Sequence, residues 1–408
     1  MRIDRSSRPQ AITLAQTIDG AQRAPGNGQL SRREALRLLG GAGLAAAAFT
    51  TLGRRAFAQD NGTPPAMATP QIGPQADGSI LWHVKVGDMK MEQKPIVELH
   101  GFFPGEITIN AGDSIWFDYG MGGFHTVSFL SGGQVPPILI PDPEADTPEG
   151  GAPPQLIIHP QIPFPHGGDT YDGTGYVSSG IDFFRDPTQP YVLKFTKAGS
   201  YDYLCLIHPS VMKAKVIVQE TGAAAVRTQS EYDQIAADET ATLYDQAATE
   251  MAKYGQAAST KNADGTTSWE LTVGAGGDTQ ARVQSFLPTE LEITVGDTVK
   301  WVHRAPGEPH TVSFAGAGEV TPEDTIVEQF ADGTPKFVQS MQTLLPQGGN
   351  VWSGSGWLNS GYLGFPDLAR PVEWEATFDT PGDFTYFCAL HGDAKGEGMA
   401  AKLTVSPK

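Results

Sequence analysis

Across residues 79–220, and again across 265–408, apolar and polar positions alternate in short runs broken by Gly-Asp turns. Ile107 and Ile109 lead into Gly112-Asp113, and Ile115 and Phe117 follow. A period of two predicts antiparallel strands with one buried face, and short strands with regular turn signals predict a β-sandwich. The period changes once. Over 229–255, Ile235, Leu243, Ala247, Met251 and Tyr254 recur at three- and four-residue steps or multiples, Ser230 precedes Asp233 in capping-box spacing, and Gly255 follows as a stop. One helix is therefore expected between the two β segments, its apolar stripe packed on a sandwich and setting their relative orientation.

The two β segments repeat one another. Trp82-His83-Val84-Lys85-Val86-Gly87 matches Trp269-Glu270-Leu271-Thr272-Val273-Gly274, and His125-Thr126-Val127-Ser128-Phe129 matches His310-Thr311-Val312-Ser313-Phe314. The match ends on Cys205 to Val218 against Cys388 to Val405. This is the signature of one duplicated unit. The expected organisation is an export signal over 1–58, a disordered linker over 59–78, one β domain at 79–220, a helical linker at 221–264 and a second β domain at 265–408.

Composition supports a turn-rich β protein: 48 glycines and 31 prolines stand against 28 lysines and arginines in 408 residues. The net charge is -18, and residues 1–58 hold nine arginines and three acids, leaving 19 bases and 43 acids, a net of -24, in the remainder. Such a surface repels nucleic acid and anionic membrane. Arg32-Arg33, the mildly apolar Leu38 to Leu52 and the small-x-small Ala56-Phe57-Ala58 read together as a twin-arginine export signal, with the mature chain starting near Gln59 in a periplasmic or other extracytoplasmic space. Beyond it, no run approaches the roughly 20 apolar residues of a transmembrane helix.

Each repeat carries an early histidine, His125 or His310, and some eighty residues later a cluster: Cys205, His208 and Met212, or Cys388, His391 and Met399. A thiolate, two imidazoles and a thioether form a ligand set for copper, soft sulfur favouring Cu(I) and imidazole accepting both oxidation states. Zinc more often takes Cys and His without a thioether, and no C-x-x-C pair is present. A disulfide between Cys205 and Cys388 would have to bring two buried domain ends together.

With the flanking Tyr203-Leu204-Cys205-Leu206-Ile207-His208 and Tyr386-Phe387-Cys388-Ala389-Leu390-His391, both segments resemble the plastocyanin-like, or cupredoxin, family of type 1 blue copper proteins over most of 79–220 and 265–408. The resemblance implies an all-β chain of two tandem cupredoxin-like Greek-key β-sandwiches joined by the helical linker. It also implies two type 1 copper ions cycling between Cu(I) and Cu(II), each held through a short thiolate bond. The function implied is electron transfer, with His208 and His391 presenting a ring edge to redox partner proteins that dock transiently.

Two departures stand out. Plastocyanins usually place four residues between the second His and the Met, whereas three separate His208 from Met212 and seven separate His391 from Met399. Both repeats also carry a long insertion between the early His and the Cys. Copper storage or delivery is an alternative, but exposed Met and His clusters are scarce. A copper oxidase or nitrite reductase would need further ligands, typically His-x-His or a His directly before the Cys, where this chain has Leu204 and Phe387. His159 and His166 read as solvated insertion residues, Met89 and Met91 as strand packing, and Asp169, Asp172 and Gly173 as a faint calcium loop lacking its closing glutamate. His83, His100 and His303 stand alone with no assigned role.

Overall fold

A computed structural model describes residues 69–90, 94–120, 123–146, 153–182, 189–365 and 368–408, all within one compact unit, Gly41–Lys408. The export segment, most of the linker and Met91 lie outside the described residues. The chain is mostly β, and its largest sheet runs through both repeats. In spatial order this sheet carries Val351–Trp352, Glu373–Phe378, Thr298–His303, Thr267–Ala275 and Ala281–Leu287, then Ile96–Phe103, Ile80–Lys90, Ser114–Asp118, Tyr191–Phe195 and Thr170–Tyr171. The second five reverse the first five, repeat-equivalent strand for strand. The repeats are thus related by a pseudo-twofold axis, with Ile96–Phe103 antiparallel to Ala281–Leu287 at the join. Counting back from Pro104 and Pro288, Glu98 and Arg282 are equivalent, and they are also register partners, so the axis passes between them.

Each repeat completes itself with its own five-stranded sheet. In the first, Val177–Ser178, Ser128–Phe129, Gly199–Leu204, Lys213–Gln219 and Glu106–Asn110 lie side by side; in the second, Trp357–Asn359, Ser313–Ala315, Gly382–Gly392, Gly398–Ser406 and Glu290–Thr294 do so in the same order. Phe117, Phe129 and Tyr203 fill the first core where Trp301, Phe314 and Tyr386 fill the second. The Gly-Asp turns explain why the two copies begin alike. Asp113 accepts from the Ile80 and Asn110 amides and from Trp82 Nε1 at 3.0 Å; Asp297 accepts from the Thr267 and Thr294 amides and from Trp269 Nε1 at 3.2 Å. A carboxylate with three N–H donors satisfies a turn and the neighbouring strand start at once.

The two insertions meet across the axis. Leu139–Pro141 and Leu156–Ile158 of the first join Thr325–Gln329 and Pro335–Gln339 of the second in a four-stranded sheet, through Val338 opposite Ile157. A buried ion pair, Lys336 Nζ to Asp142 Oδ2 at 2.8 Å, ties the same insertions together.

The helix Gln229–Tyr254 lies over the join itself. Leu243 and Ala247 pack with Val97, Leu99 and Phe103 from one side and Ala281, Val283 and Leu287 from the other, with Met251 and Tyr254 at the margin. Burying a leucine-sized side chain contributes about 1.5–3 kcal/mol, so the helix stabilises both halves of the seam. Its cap differs from the sequence expectation. Thr228 is the N-cap and forms a capping box with Glu231, two residues before the Ser230 and Asp233 pair. The linker differs too: Gly73–Pro74 pairs with Ile80–Leu81 in a short hairpin, so order begins before residue 79. Among the described residues, no helix is long and apolar enough to cross a membrane.

Candidate metal centres

In the first repeat, His125 leaves the strand region just before Ser128–Phe129, and Cys205 follows Gly199–Leu204 directly. Both are fully buried. Cys205 Sγ lies 3.9 Å from His125 Nδ1 and 3.7 Å from His208 Nδ1, and the two Nδ1 atoms are 3.2 Å apart. In the second repeat, Cys388 Sγ lies 3.8 Å from His310 Nδ1 and 3.3 Å from His391 Nδ1, with 3.1 Å between the Nδ1 atoms. The threonine after each early histidine sets this arrangement. The Thr126 amide donates to Cys205 Sγ at 3.4 Å while its Oγ1 accepts from Leu206 N at 2.8 Å. Thr311 repeats both contacts, with Cys388 Sγ at 3.3 Å and Ala389 N at 2.7 Å.

Two glycines admit the early rings. Gly87 and Gly274 sit at bulges in Ile80–Lys90 and Thr267–Ala275, with φ of +68° and +60°. A side chain at either would overlap His125 or His310 at Nε2 and Cδ2. Glycine supplies both the left-handed backbone and the space.

Met212 and Met399 are buried in the same apolar clusters as Cys205 and Cys388. They arrive by different routes. A turn carries His208 to Met212, whose amide donates to the His208 carbonyl at 2.9 Å. From His391 the strands instead continue as a hairpin, Gly392 pairing Gly398, and Asp393 to Glu397 form its tip. The longer spacing of the second repeat is absorbed by this extension.

Both cysteines are free. Burial would raise the Cys205 thiol, but His125 and His208 beside it hold it well below the usual thiol range. Two Nδ1 atoms at 3.1–3.2 Å cannot both act as acceptors toward each other, so a proton or a cation must stand between them. A thiolate, two such nitrogens and a nearby thioether suit a soft or borderline metal ion.

The outward edges of His208 and His391 overturn one expectation. Neither is presented to a partner: both rings are buried against a single carboxylate, with His208 Nε2 2.9 Å from Glu308 Oε2 and His391 Nε2 2.7 Å from Glu308 Oε1. The reason is the pseudo-twofold packing, which turns the two edges toward each other. Burial would discharge these rings, but the neighbouring cysteine and Glu308 outweigh it, raising His208 to about 10 and His391 well above the ordinary histidine range. Burial would likewise raise Glu308, and the two imidazoles hold it well below the carboxylate range.

The histidines read as solitary are not equally so. His100 is fully buried, stacks on His208 with 3.7 Å between ring centroids, and has no hydrogen-bond partner at either ring nitrogen. Burial, then the charge of His208, lowers it to about 3, so it is neutral at physiological pH. His303 Nε2 donates to the Glu308 carbonyl at 2.8 Å and so fixes the loop that carries Glu308. His83 remains at the surface, paired with Asp118 at 3.2 Å. In the insertion, His159 Nδ1 accepts from the Gln161 amide and His166 lies beside Tyr176. Asp172 accepts from Thr174 in a local turn.

Glu98, His100, Arg282, Gln284 and Glu308 all escaped the motif-based reading. Glu98 and His100, and their equivalents Arg282 and Gln284, occupy i and i+2 of strands that are otherwise apolar, Ser285 apart, and buried on both faces. Four polar groups at matching positions of two such strands were the available signal. Glu308 had none, because it lies in a loop two residues before His310.

The chain is 31% identical to the plastocyanin of Scenedesmus fuscus over 136 residues, which are 33% of this chain and 99% of that protein. Among solved structures, it matches oxidised plastocyanin from Dryopteris crassirhizoma at 15% identity and a TM-score of 0.18, covering 34% of this chain and 99% of that one. An amicyanin variant in the Cu(I) state matches at 17% identity and a TM-score of 0.19, covering 34% of this chain and 82% of that one. No family model matches.

Proposed function

The chain belongs to the plastocyanin family across the 136 residues it shares with the Scenedesmus fuscus protein, and from that premise we propose an electron carrier with one type 1 copper centre in each of two tandem domains, 79–220 and 265–408. The observation that carries this reading is the recurrence, in both repeats, of a buried cysteine sulfur facing two imidazole Nδ1 atoms within 3.3–3.9 Å. Copper supplies one-electron chemistry, exchanging Cu(I) and Cu(II). His125, Cys205 and His208 hold it in the first domain, and His310, Cys388 and His391 in the second. Met212 and Met399, buried in the same clusters as the cysteines, would supply the thioethers. The Thr126 and Thr311 amides donate to the two sulfurs, and such outer contacts hold ligands in place and tune the metal.

Redox partner proteins meet the centres by a face other than the His208 and His391 edges, which are buried. The twin-arginine pair Arg32-Arg33 and the Ala56-Phe57-Ala58 site support export of the folded, loaded protein out of the cytoplasm.

Copper loading followed by visible absorption and electron paramagnetic resonance on wild type, Cys205→Ser and Cys388→Ser tests the assignment. An intense thiolate-to-copper band that falls by about half in each variant is expected from two equivalent thiolates. Its absence from the loaded wild type would sink the reading.

A further inference from the structure

The two sets of proposed ligands meet at a single residue that neither repeat duplicates. Glu308 reaches His208 with one carboxylate oxygen and His391 with the other, at 2.9 and 2.7 Å, and all three side chains are less than one-tenth exposed. At those separations a carboxylate attracts positive charge to the facing ring edge, which favours a proton on Nε2 of each imidazole. With Nε2 held toward the carboxylate, Nδ1, the atom facing sulfur in each group, is the nitrogen left to give up its proton to a metal ion.

The position equivalent to Glu308 in the first repeat, counted back from the early histidine, is Gly123. A side chain there would overlap the Glu98 carboxylate. Glu98 occupies that side of the axis instead, with Oε1 3.4 Å from His125 Nε2. The Glu308 loop is held on two sides, by His303 at its carbonyl and by Arg282 Nη2 at the Pro306 carbonyl, 2.9 Å away.

We propose that Glu308 is a shared positioning residue, a single carboxylate that orients one metal-ligating histidine in each repeat and thereby couples the two centres. A third metal ion among His100, His208 and Glu308 fits less well, although their donor atoms lie within 4.8 Å of one another. The His100 and His208 rings are stacked at an interplanar angle of 24°. Stacked imidazoles direct their in-plane lone pairs side by side rather than toward a common point.

The proposal rests on the copper reading, and its test separates the two. Glu308→Gln is placed in Cys388→Ser, which keeps only the first centre, and in Cys205→Ser, which keeps only the second. Glutamine carries no charge, so neither ring keeps its charged partner, and its amide turns N–H toward one of them. The expected result is a loss of copper affinity of roughly 10- to 100-fold in both backgrounds, with shifted copper hyperfine splitting and thiolate band energy. A change confined to the second centre, whose own loop carries Glu308, would overturn the coupling; so would no change in either.

A second measurement does not depend on copper or on the variants. In metal-free wild type with 15N-labelled histidine, the Nε2 protons of both His208 and His391 should be visible and slow to exchange. Free exchange at either ring removes the clamp. Slow exchange at both without any thiolate band after copper loading leaves the clamp standing and fails the copper reading alone.

Discussion

The first and second repeats match in strand order, in the turns that start them and in their paired His–Cys–His groups, yet they diverge at three positions near the axis between them. Glu98 faces Arg282, His100 corresponds to Gln284, and Gly123 corresponds to Glu308. The contrast has a physical cause. A twofold axis places equivalent residues against each other, so a duplicated Glu98 would set two buried carboxylates side by side, and a duplicated Glu308 would crowd a third and fourth into the same space. Like charges that close and that dry are strongly unfavourable. Strands and the paired imidazoles tolerate symmetry; carboxylates at the axis do not. Divergence leaves one guanidinium among two carboxylates, and one carboxylate serving two imidazoles.

Removing the cation from that arrangement should have the largest effect. Arg282 is fully buried and donates to the carbonyls of Thr279, Ala281 and Pro306 at 2.6, 3.0 and 2.9 Å. Arg282→Met leaves three carbonyls without a donor and removes a positive charge that acts through space with Glu308, Asp278 and Glu98. Each buried acceptor left without its donor costs about 1–3 kcal/mol, to be measured by urea denaturation. Adding Glu98→Gln should recover part of the loss, because it removes one of the two carboxylates; a double-mutant cycle gives the coupling. If Arg282→Met costs less than about 1 kcal/mol, the order of a surface ion pair, charge opposition does not explain why the repeats diverged here.

The insertions give a second comparison, since each repeat has one and they differ in sequence but pair with each other. Their buried link is Lys336 with Asp142. Burial acts to raise Asp142, but the Lys336 ammonium and the Glu144 amide hold it below the usual carboxylate range. A depressed folded-state value means that the stabilisation is fully present above the unfolded pKa, near 3.9, and disappears as pH falls through the folded value. Asp142→Asn should therefore cost about 1–3 kcal/mol at pH 7, as for a hydrogen bond to a charged group. Its melting temperature should converge on that of wild type as the pH drops below about 4. A gap that persists in acid would show that the substitution acts through packing rather than charge.

How much of this was legible in the sequence follows the same division. Period-two patterning, the Gly112-Asp113 and Gly296-Asp297 turns and the repeated His and Cys positions are properties of one chain segment at a time, and the described strands and the two His–Cys–His groups follow them. The join between Ile96–Phe103 and Ala281–Leu287 is a property of two segments whose register partners Glu98 and Arg282 are 184 residues apart. Buried on both faces, those strands lose the alternation that reports strand orientation, so Glu98 and Arg282 were not singled out. Reading His208 and His391 as docking edges failed for the same reason: nothing local to either histidine reveals that the other repeat covers it. The seven-residue spacing to Met399 was visible, whereas the hairpin that absorbs it was not.

The smallest effect belongs to the helix that spans both repeats at the seam, where the expected and observed caps can be told apart directly. Thr228 Oγ1 accepts from the Glu231 amide at 3.3 Å, and the Glu231 carboxylate accepts from the Thr228 amide at 2.7 Å. Two of the helix's first free N–H groups are satisfied by that exchange, and Glu231 also lies where the helix dipole favours negative charge. Thr228→Ala should cost about 1 kcal/mol, whereas Ser230→Ala, inside the first turn, should change stability by less than about 0.5 kcal/mol. The pair is best compared by denaturation of the full-length protein, because Leu243 and Ala247 hold the helix to both halves of the join and a frayed first turn loosens it from the N-terminal end. Equal effects of the two substitutions would mean that packing on the seam, and not the capping box, fixes where the helix begins.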